Sequence, residues 1–486
     1  MKVSQGSRTV VTERGIFGGG AVWVLAPMAI FILLTFVFRG SDPDVWWHLK
    51  AGEYIFSKGI PHTDPFSFTA AGTPWVLHEW LSEVLFYFVV EKLGFFALTL
   101  LMGVCGVFVI LLLFVAARLA GGDVLTSFAV ASLGLSLSSV VVGVRPQIFT
   151  ILFLSAQYAI LLAHDSTISH WRAPKLVWLL PPLMCLWANL HGGYIIGIAV
   201  LALWSVQHKF RSSVVVPIVC AVAATLFTPN GFHGWWYPFT YAGSGNASMV
   251  FLQEWQSPNF HLSMYLPLLV AVCVICTVGV LGVFPGALGF AYSGGVILFL
   301  ALALRSARHS PLFGVALVPV LAVAVVTRLP FLSAVMRRYS PPIVGSFLSL
   351  AVVVVMLVAP KVAPVAPQLG VLPNQVGVPQ KSVEYLRSKA PQPLFNEYAW
   401  GGYCIYSLFP EWKVFIDGRA DVHGDPAMHR YHNVLSARAG WQEVLQKFDI
   451  RYVLVSPAAP LADALARSSE WRKVISSDHE TLFEKL

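Results

Sequence analysis

The chain has 486 residues, of which 57% are hydrophobic and only 12% charged, with a formal net charge of +8. A soluble globular domain carries about 25% charged residues, so the deficit excludes an ordinary water-soluble enzyme and places most of the chain in lipid. The positive balance does not indicate nucleic acid, because the basic residues sit largely in short segments between apolar runs.

Runs of about 20 apolar residues cross the hydrocarbon core as helices. They are predicted near 22–38, 95–117, 124–142, 147–163, 176–190, 194–207, 214–228, 265–282, 288–304, 311–327 and 343–359, which gives about eleven spans. The stretch with Lys2, Arg8 and Arg14 precedes the first span without a small-residue cleavage site, so that span is expected to remain as an anchor. With the N-terminus cytoplasmic, the inner loops carry Arg118, Arg172, Lys175, Lys209, Arg211, Arg328, Arg337 and Arg338. The outer ones carry fewer basic residues: Arg39, Lys50, Lys58, Lys92, Arg145, Arg305 and Arg308. The bias has the sign the positive-inside rule requires and puts the tail outside. The acidic residues are skewed outward: Asp42, Asp44, Glu53, Asp64, Glu79, Glu83, Glu91 and Glu254, against Glu13, Asp123 and Asp165 inside. Carboxylates do not set topology, so this asymmetry points to a site on the outer face.

Residues 39–94 form a long first outer loop, read as a helix over 43–57, an extended stretch from Asp64 to Trp75 and an amphipathic helix over 77–92. Trp46, Trp47, Trp75 and Trp80 are expected at the lipid–water boundary. In Asp42-Pro43-Asp44-Val45-Trp46-Trp47-His48, the aspartates cap a helix around a proline suited to its first turn. Asp44 and His48, one turn apart, also share a face and could act as a base; Asp42 and Asp44 are a weak signal for a divalent cation. In His78-Glu79-Trp80-Leu81-Ser82-Glu83, Glu79 and Glu83 share one face of the second helix, either as a solvated interfacial face or as part of the same site.

Further along, Arg145-Pro146-Gln147 and the group Arg305, Arg308, His309 stand at outer span ends, where basic residues are disfavoured. A guanidinium fork matches phosphate oxygens, although an arginine at this depth can also snorkel to headgroups. Asn189-Leu190-His191-Gly192-Gly193 forms an outer hairpin, and Glu254 stands in an aromatic outer loop with Trp235, Trp236, Tyr237, Tyr241 and Trp255. A Pro/Val/Ala linker over 359–379 leads to the tail. There, strands are expected over Pro393–Tyr398, Trp412–Asp417, Arg451–Ser456, Trp471–Ile475 and Thr481–Glu484. Helices are expected over Trp441–Phe448 and Leu461–Ala466, which makes a small α/β layer. Asp417 and Arg419 could bind an anionic or sugar ligand, or simply pair. Cys105, Cys185, Cys220, Cys273 and Cys276 fall in apolar spans and Cys404 in the tail, leaving no zinc-spaced thiols.

The ordered set Asp42–His48, Pro61-x-x-Asp64-Pro65-Phe66-Ser67, His78-Glu79-Trp80-Leu81, Arg145-Pro146-Gln147, Asn189–Gly193 and Asp417-Gly418-Arg419 resembles a group of bacterial membrane proteins with this layout. Asp-x-Asp opening a long outer loop resembles the GT-C superfamily of integral-membrane glycosyltransferases, which includes protein O-mannosyltransferases and aminoarabinose transferases. The resemblance implies a polytopic α-helical membrane domain over 1–359 and a periplasmic α/β domain over 360–486 in a bacterial inner-membrane protein. It implies transfer of a sugar from a polyprenyl-phosphate donor to a glycan, lipid or protein acceptor. Asp44 or Asp42, with His48 and Glu79, would be catalytic. Arg145, Arg305, Arg308, Asn189, His191, His78, Glu254 and Trp47 would bind substrate. The polyprenyl-phosphate sugar would be the donor substrate, no cofactor is assigned, and a divalent cation at Asp42 and Asp44 stays open. A transporter or flippase for a lipid-linked or anionic solute would need ionisable residues inside the spans, and these are confined to span ends. A non-enzymatic assembly scaffold is the other alternative, and it would not need the outer Asp, Glu, His and Arg set.

Overall fold

Burial of apolar surface organises the chain around one central helix. The computed structural model describes residues 15–18, 20–38, 42–141, 143–166, 168, 171–237, 247–280, 288–362 and 377–486. Lys2, Arg8, Arg14, Arg39, Tyr241 and most of the Pro/Val/Ala linker lie outside the described residues. Each apolar run predicted to span coincides with a helix, although several are shorter than expected. Among the described residues, 3 helices are long and apolar enough to cross a membrane: Phe95–Leu119, Gln147–Asp165 and Ala307–Arg328. The others, among them Val22–Val37, Val124–Val140, Tyr194–Gln207, Ser212–Ala224 and Phe290–Arg305, are shorter apolar helices.

The helix Ser310–Arg328 is buried around its whole circumference from Ser310 to Ala324. A helix that is apolar on all sides belongs in the middle of a bundle, and this one packs against Val124–Ser136, Phe95–Leu119 and Phe290–Arg305. The first loop folds back over one end of the bundle as two helices, Val45–Lys58 and Trp80–Leu93, close to the expected 43–57 and 77–92. They meet at Gly52, where an added Cβ would lie 2.1 Å from the Glu83 carbonyl oxygen. Only glycine permits this approach, and it brings His48, one turn earlier, beside the Glu83 side chain.

The tail forms a 4-stranded sheet in the order β1-β2-β4-β3: β1 Leu394–Asn396, β2 Tyr452–Val455, β3 Trp471–Ser476 and β4 Thr481–Lys485. β1 runs parallel to β2, and the other two pairings are antiparallel. β2 is buried at every residue, as expected of a strand covered on both faces. The expected strand Trp412–Asp417 does not join this sheet. Its backbone is bonded elsewhere: Val414 N–H donates to Phe66 O (3.1 Å) and Phe68 N–H to Val414 O (3.2 Å). Phe415 N–H donates to the Asn396 side chain (2.9 Å). This segment therefore stitches the tail to the first loop.

That stitching also corrects the reading of the loop tryptophans. Trp46, Trp47 and Trp75 are buried rather than placed at a lipid boundary. Trp46 stacks edge-on against Tyr403 of the tail, with ring centroids 5.2 Å apart. Their amphipathic rings fit an interface by composition, but the tail covers them first.

Candidate active site

Between the bundle, the two loop helices and the tail lies a cavity of about 1140 Å³. Its wall contains Asp44, Trp47, His48, His78, Glu79, Arg145, His191, Glu254, Arg305 and Arg308. Residues separated by up to about 260 positions of sequence thus share one surface.

Asp42, not Asp44, organises the start of the Val45–Lys58 helix: its Oδ1 accepts from Asp44 N–H at 2.9 Å, and its carbonyl accepts from Val45 N–H at 3.1 Å. Asp44 occupies the cap position but its side chain makes no capping bond, so its carboxylate is left for the cavity. There it meets Arg145, whose Nη2 lies 3.3 Å from Asp44 Oδ2 and whose Nη1 donates to Glu254 Oε2 at 2.6 Å. Arg145 also pairs with Asp42. One guanidinium is therefore shared among three carboxylates. Burial raises the Asp44 carboxyl to about 7; Arg145 opposes the shift but is outweighed, and Asp42 and Glu254 add like-charge repulsion. A carboxylate that ionises near neutrality is matched to proton transfer.

Deeper in the wall sits a second cluster. His191 Nε2 lies 3.2 Å and His78 Nε2 3.4 Å from Glu79 Oε1. Gly193 N–H donates to His191 Nδ1 at 3.0 Å, so that nitrogen is an acceptor and the ring proton sits on Nε2, facing Glu79. Behind it, Trp187 Nε1 donates to Thr150 Oγ1 at 3.0 Å, and Thr150 Oγ1 lies 2.6 Å from the same Nδ1. Burial lowers His191 to about 4, so it is neutral at pH 7. Glu79 is held below its ordinary value: burial alone would raise it, but His78 and then His191 outweigh burial. His48 Nδ1 lies 3.4 Å from Glu83 Oε1; burial drives His48 down to about 3 and pushes the Glu83 carboxyl well upward.

The divalent cation left open at Asp42 and Asp44 fits poorly, because both carboxylates already share Arg145. His48 and Glu79 of the cavity wall, with the fully buried Glu83 behind them, instead hold one ligand atom each within 4.8 Å of one another, and among the described residues near the cavity these could hold a metal.

Arg308 stacks on Trp255, 4.1 Å from the ring centroid, and lies 3.6 Å from Glu254 Oε1. Arg305 lines the cavity with no ion-pair partner among the described residues. Two expected residues stand outside the lining. Asp42 lies behind Arg145, and Asn189 is spent on packing: it accepts from Trp80 Nε1 (2.9 Å) and donates to Phe227 O (2.9 Å). Asp417 and Arg419 pair rather than offer a ligand site, as described below for the tail. Sequence reasoning missed Thr150, Asp421 and Asp425. Nothing in their local pattern marks them, since their places depend on how distant segments meet. Glu83 was visible only as a neighbour of Glu79 on a helix face.

The tail closes the cavity. Arg419 donates through Nε and Nη2 to Asp417 (2.8 and 2.7 Å) and through Nη1 to Asp64 of the first loop (2.7 Å), all fully buried. This clamp sets Gly418 against the site, where an added Cβ would lie 2.0 Å from Asp44 Oδ1.

No protein-family model matches the sequence, and no curated protein is similar to it in sequence. Solved structures are similar in fold. An oligosaccharyltransferase from Archaeoglobus fulgidus in the apo form superposes with TM-score 0.58 at 12% identity, covering 90% of this chain and 69% of that one. ArnT from Cupriavidus metallidurans in the apo state gives 0.53 at 13% identity, covering 96% and 98%. The arabinofuranosyltransferase AftD from Mycobacteria gives 0.55 at 13% identity, covering 95% of this chain and 41% of the neighbour. These neighbours are GT-C glycosyltransferases, and the chain has their fold, as the motif order predicted.

Proposed function

We propose that the protein is a multi-pass inner-membrane glycosyltransferase that takes a sugar from a polyprenyl-phosphate donor at the outer leaflet. The observation that carries this reading is the cavity, in which one carboxylate with its pKa raised to about 7 faces cationic side chains at the ends of distant helices. The likeness to an oligosaccharyltransferase, ArnT and an arabinofuranosyltransferase supports it through the fold alone.

In this reading an acceptor hydroxyl attacks the anomeric carbon, its proton passes to Asp44, and the bond from that carbon to the phosphate oxygen breaks. The electron pair leaves with polyprenyl phosphate. Arg305 and Arg308 stabilise the growing phosphate charge, because fixed donors in a partly dry site need no reorganisation. Arg145 is committed to three carboxylates, so its part is to hold Asp44 and Glu254 in place. Trp47 and the neutral His191 line the sugar pocket, with His78 and Glu79 as an ion pair beside it. About eleven spans, a cytoplasmic N-terminus and a periplasmic tail from residue 360 complete the arrangement.

The test is release of polyprenyl phosphate by protein in proteoliposomes given polyprenyl-phosphate pentoses and hexoses. Turnover with at least one donor, and its loss in Asp44→Asn with the fold intact by size exclusion, is expected. Turnover undiminished in Asp44→Asn removes Asp44 from the chemistry. Absence of both binding and turnover with every donor rejects the transferase reading.

A further inference from the structure

Three helices carry cavity residues at one end and converge again at the other. Gln147–Asp165 starts beside Arg145, Tyr194–Gln207 starts beside His191, and Phe290–Arg305 ends at Arg305. At 1.5 Å rise per residue their opposite ends lie about 20–27 Å from the cavity. At those far ends His164, Asp165 and His208 come together, with Trp204, Gln207 and Tyr292 around them. None of these residues touches the cavity, and the transferase chemistry uses none of them.

The two oxygens of Asp165 have different surroundings. Oδ2 accepts from Trp204 Nε1 (2.8 Å) and Tyr292 O–H (2.9 Å), with Gln207 Nε2 at 3.5 Å. Those donors fix the plane of the carboxylate. Oδ1 faces two imidazoles, with His164 Nδ1 at 2.7 Å and His208 Nε2 at 3.0 Å. A hydrogen-bonded cluster accounts for His164 but not for His208, whose Nε2 is buried and makes no hydrogen bond among the described residues despite its distance. The two rings stand 88° apart with centroids at 5.2 Å, so each can present a nitrogen to a common point without stacking. All three ligand atoms lie within 4.8 Å of one another.

We infer that His164, Asp165 and His208 form a binding site for a divalent cation of the zinc class, at the end of the bundle opposite the cavity. Two imidazoles and one carboxylate are the donors such ions select, and magnesium or calcium would require oxygen ligands instead. Hydrogen-bonded support behind the carboxylate is the usual arrangement around a bound metal. The three side chains are 13–19% exposed. The ion ties the end of Gln147–Asp165 to the end of Tyr194–Gln207, while Phe290–Arg305 is joined to it through the Tyr292 hydrogen bond to Asp165, and so it braces the cavity from the far membrane face.

The experiment uses the full-length protein in detergent, stripped with chelator and titrated with Zn²⁺ or with Co²⁺ as a coloured probe. The wild type is expected to retain one equivalent that His208→Asn loses, with affinity falling more than about 10-fold. Zn²⁺ should raise the Tm of the wild type and not of the variant. His164→Gln serves as a second variant if His208→Asn does not fold. Glu83→Gln, which alters only the cavity cluster, should keep this equivalent. The inference is overturned if the stripped wild type takes up no Zn²⁺. It is also overturned if uptake is unchanged in both histidine variants, or is lost in Glu83→Gln and kept in them.

Discussion

Asp44, partly buried in the cavity wall, and Asp417, fully buried, both face an arginine, yet their carboxyls move in opposite directions. For Asp417, burial would raise the value, but Arg419 and then His423 outweigh it, and the carboxyl is held well below its usual range. For Asp44, burial wins and the carboxyl rises to about 7. The difference lies in how each arginine is divided. Arg419 gives Asp417 two parallel hydrogen bonds, whereas Arg145 spreads its charge over Asp42, Asp44 and Glu254. A saturated pair is a clamp, and a diluted pair leaves a carboxylate able to change protonation state.

That contrast can be broken most decisively at its two centres. Asp44→Asn should lower transfer in proteoliposomes by about 10²–10⁴-fold, the span typical of a lost general base, with no loss of monodispersity. A decrease under threefold would mean the diluted pair is not chemical. Arg419→Ala should do the reverse in kind. It leaves Asp417 and Asp64 buried without a cation, which costs about 3–5 kcal/mol, read as a fall in Tm or in folded yield. A variant as stable as the wild type would show that the clamp holds nothing.

Smaller effects sharpen the same contrast. Arg305→Ala should raise the KM for the lipid donor by about 10–100-fold, the worth of roughly 1.5–3 kcal/mol for a hydrogen bond to a charged group. Unchanged donor kinetics would move the phosphate elsewhere in the cavity. The pH profile carries the finest test. A carboxyl titrating at about 7 is protonated below that pH and competent as a base above it, so kcat should rise through pH 7. Glu254→Gln removes a neighbouring negative charge and releases part of Arg145, so the rising limb should shift to lower pH. A shift upward would contradict the charge-sharing account.

Much of this was legible in the sequence because it follows from local period and chemistry. The apolar runs, the two loop helices beginning near Asp42 and His78, and β2 at Tyr452–Val455 all announce themselves within a window of some ten to twenty residues. Of the carboxylates grouped by that skew, Asp44, Glu79 and Glu254 share one cavity. What stayed hidden depends on long-range pairing. The segment Trp412–Asp417 has strand composition, but its backbone partners lie in the first loop, so periodicity could not place it. Asn189 looked like a site residue because a polar group at a hairpin carries that signal, yet its bonds to Trp80 and Phe227 arise from packing between distant helices. The sharing of Arg145 among three acids could not be read at all, since no spacing rule relates residues 42, 145 and 254.

The close seating of Gly418 on Asp44 means that the tail is the lid of a chamber whose other walls belong to the bundle and the first loop. A chain ending before residue 377 would leave the acid open to bulk solvent. Water would then dampen the burial that lifts its titration and, under the proposed transfer reaction, would compete with the acceptor and release the sugar by hydrolysis.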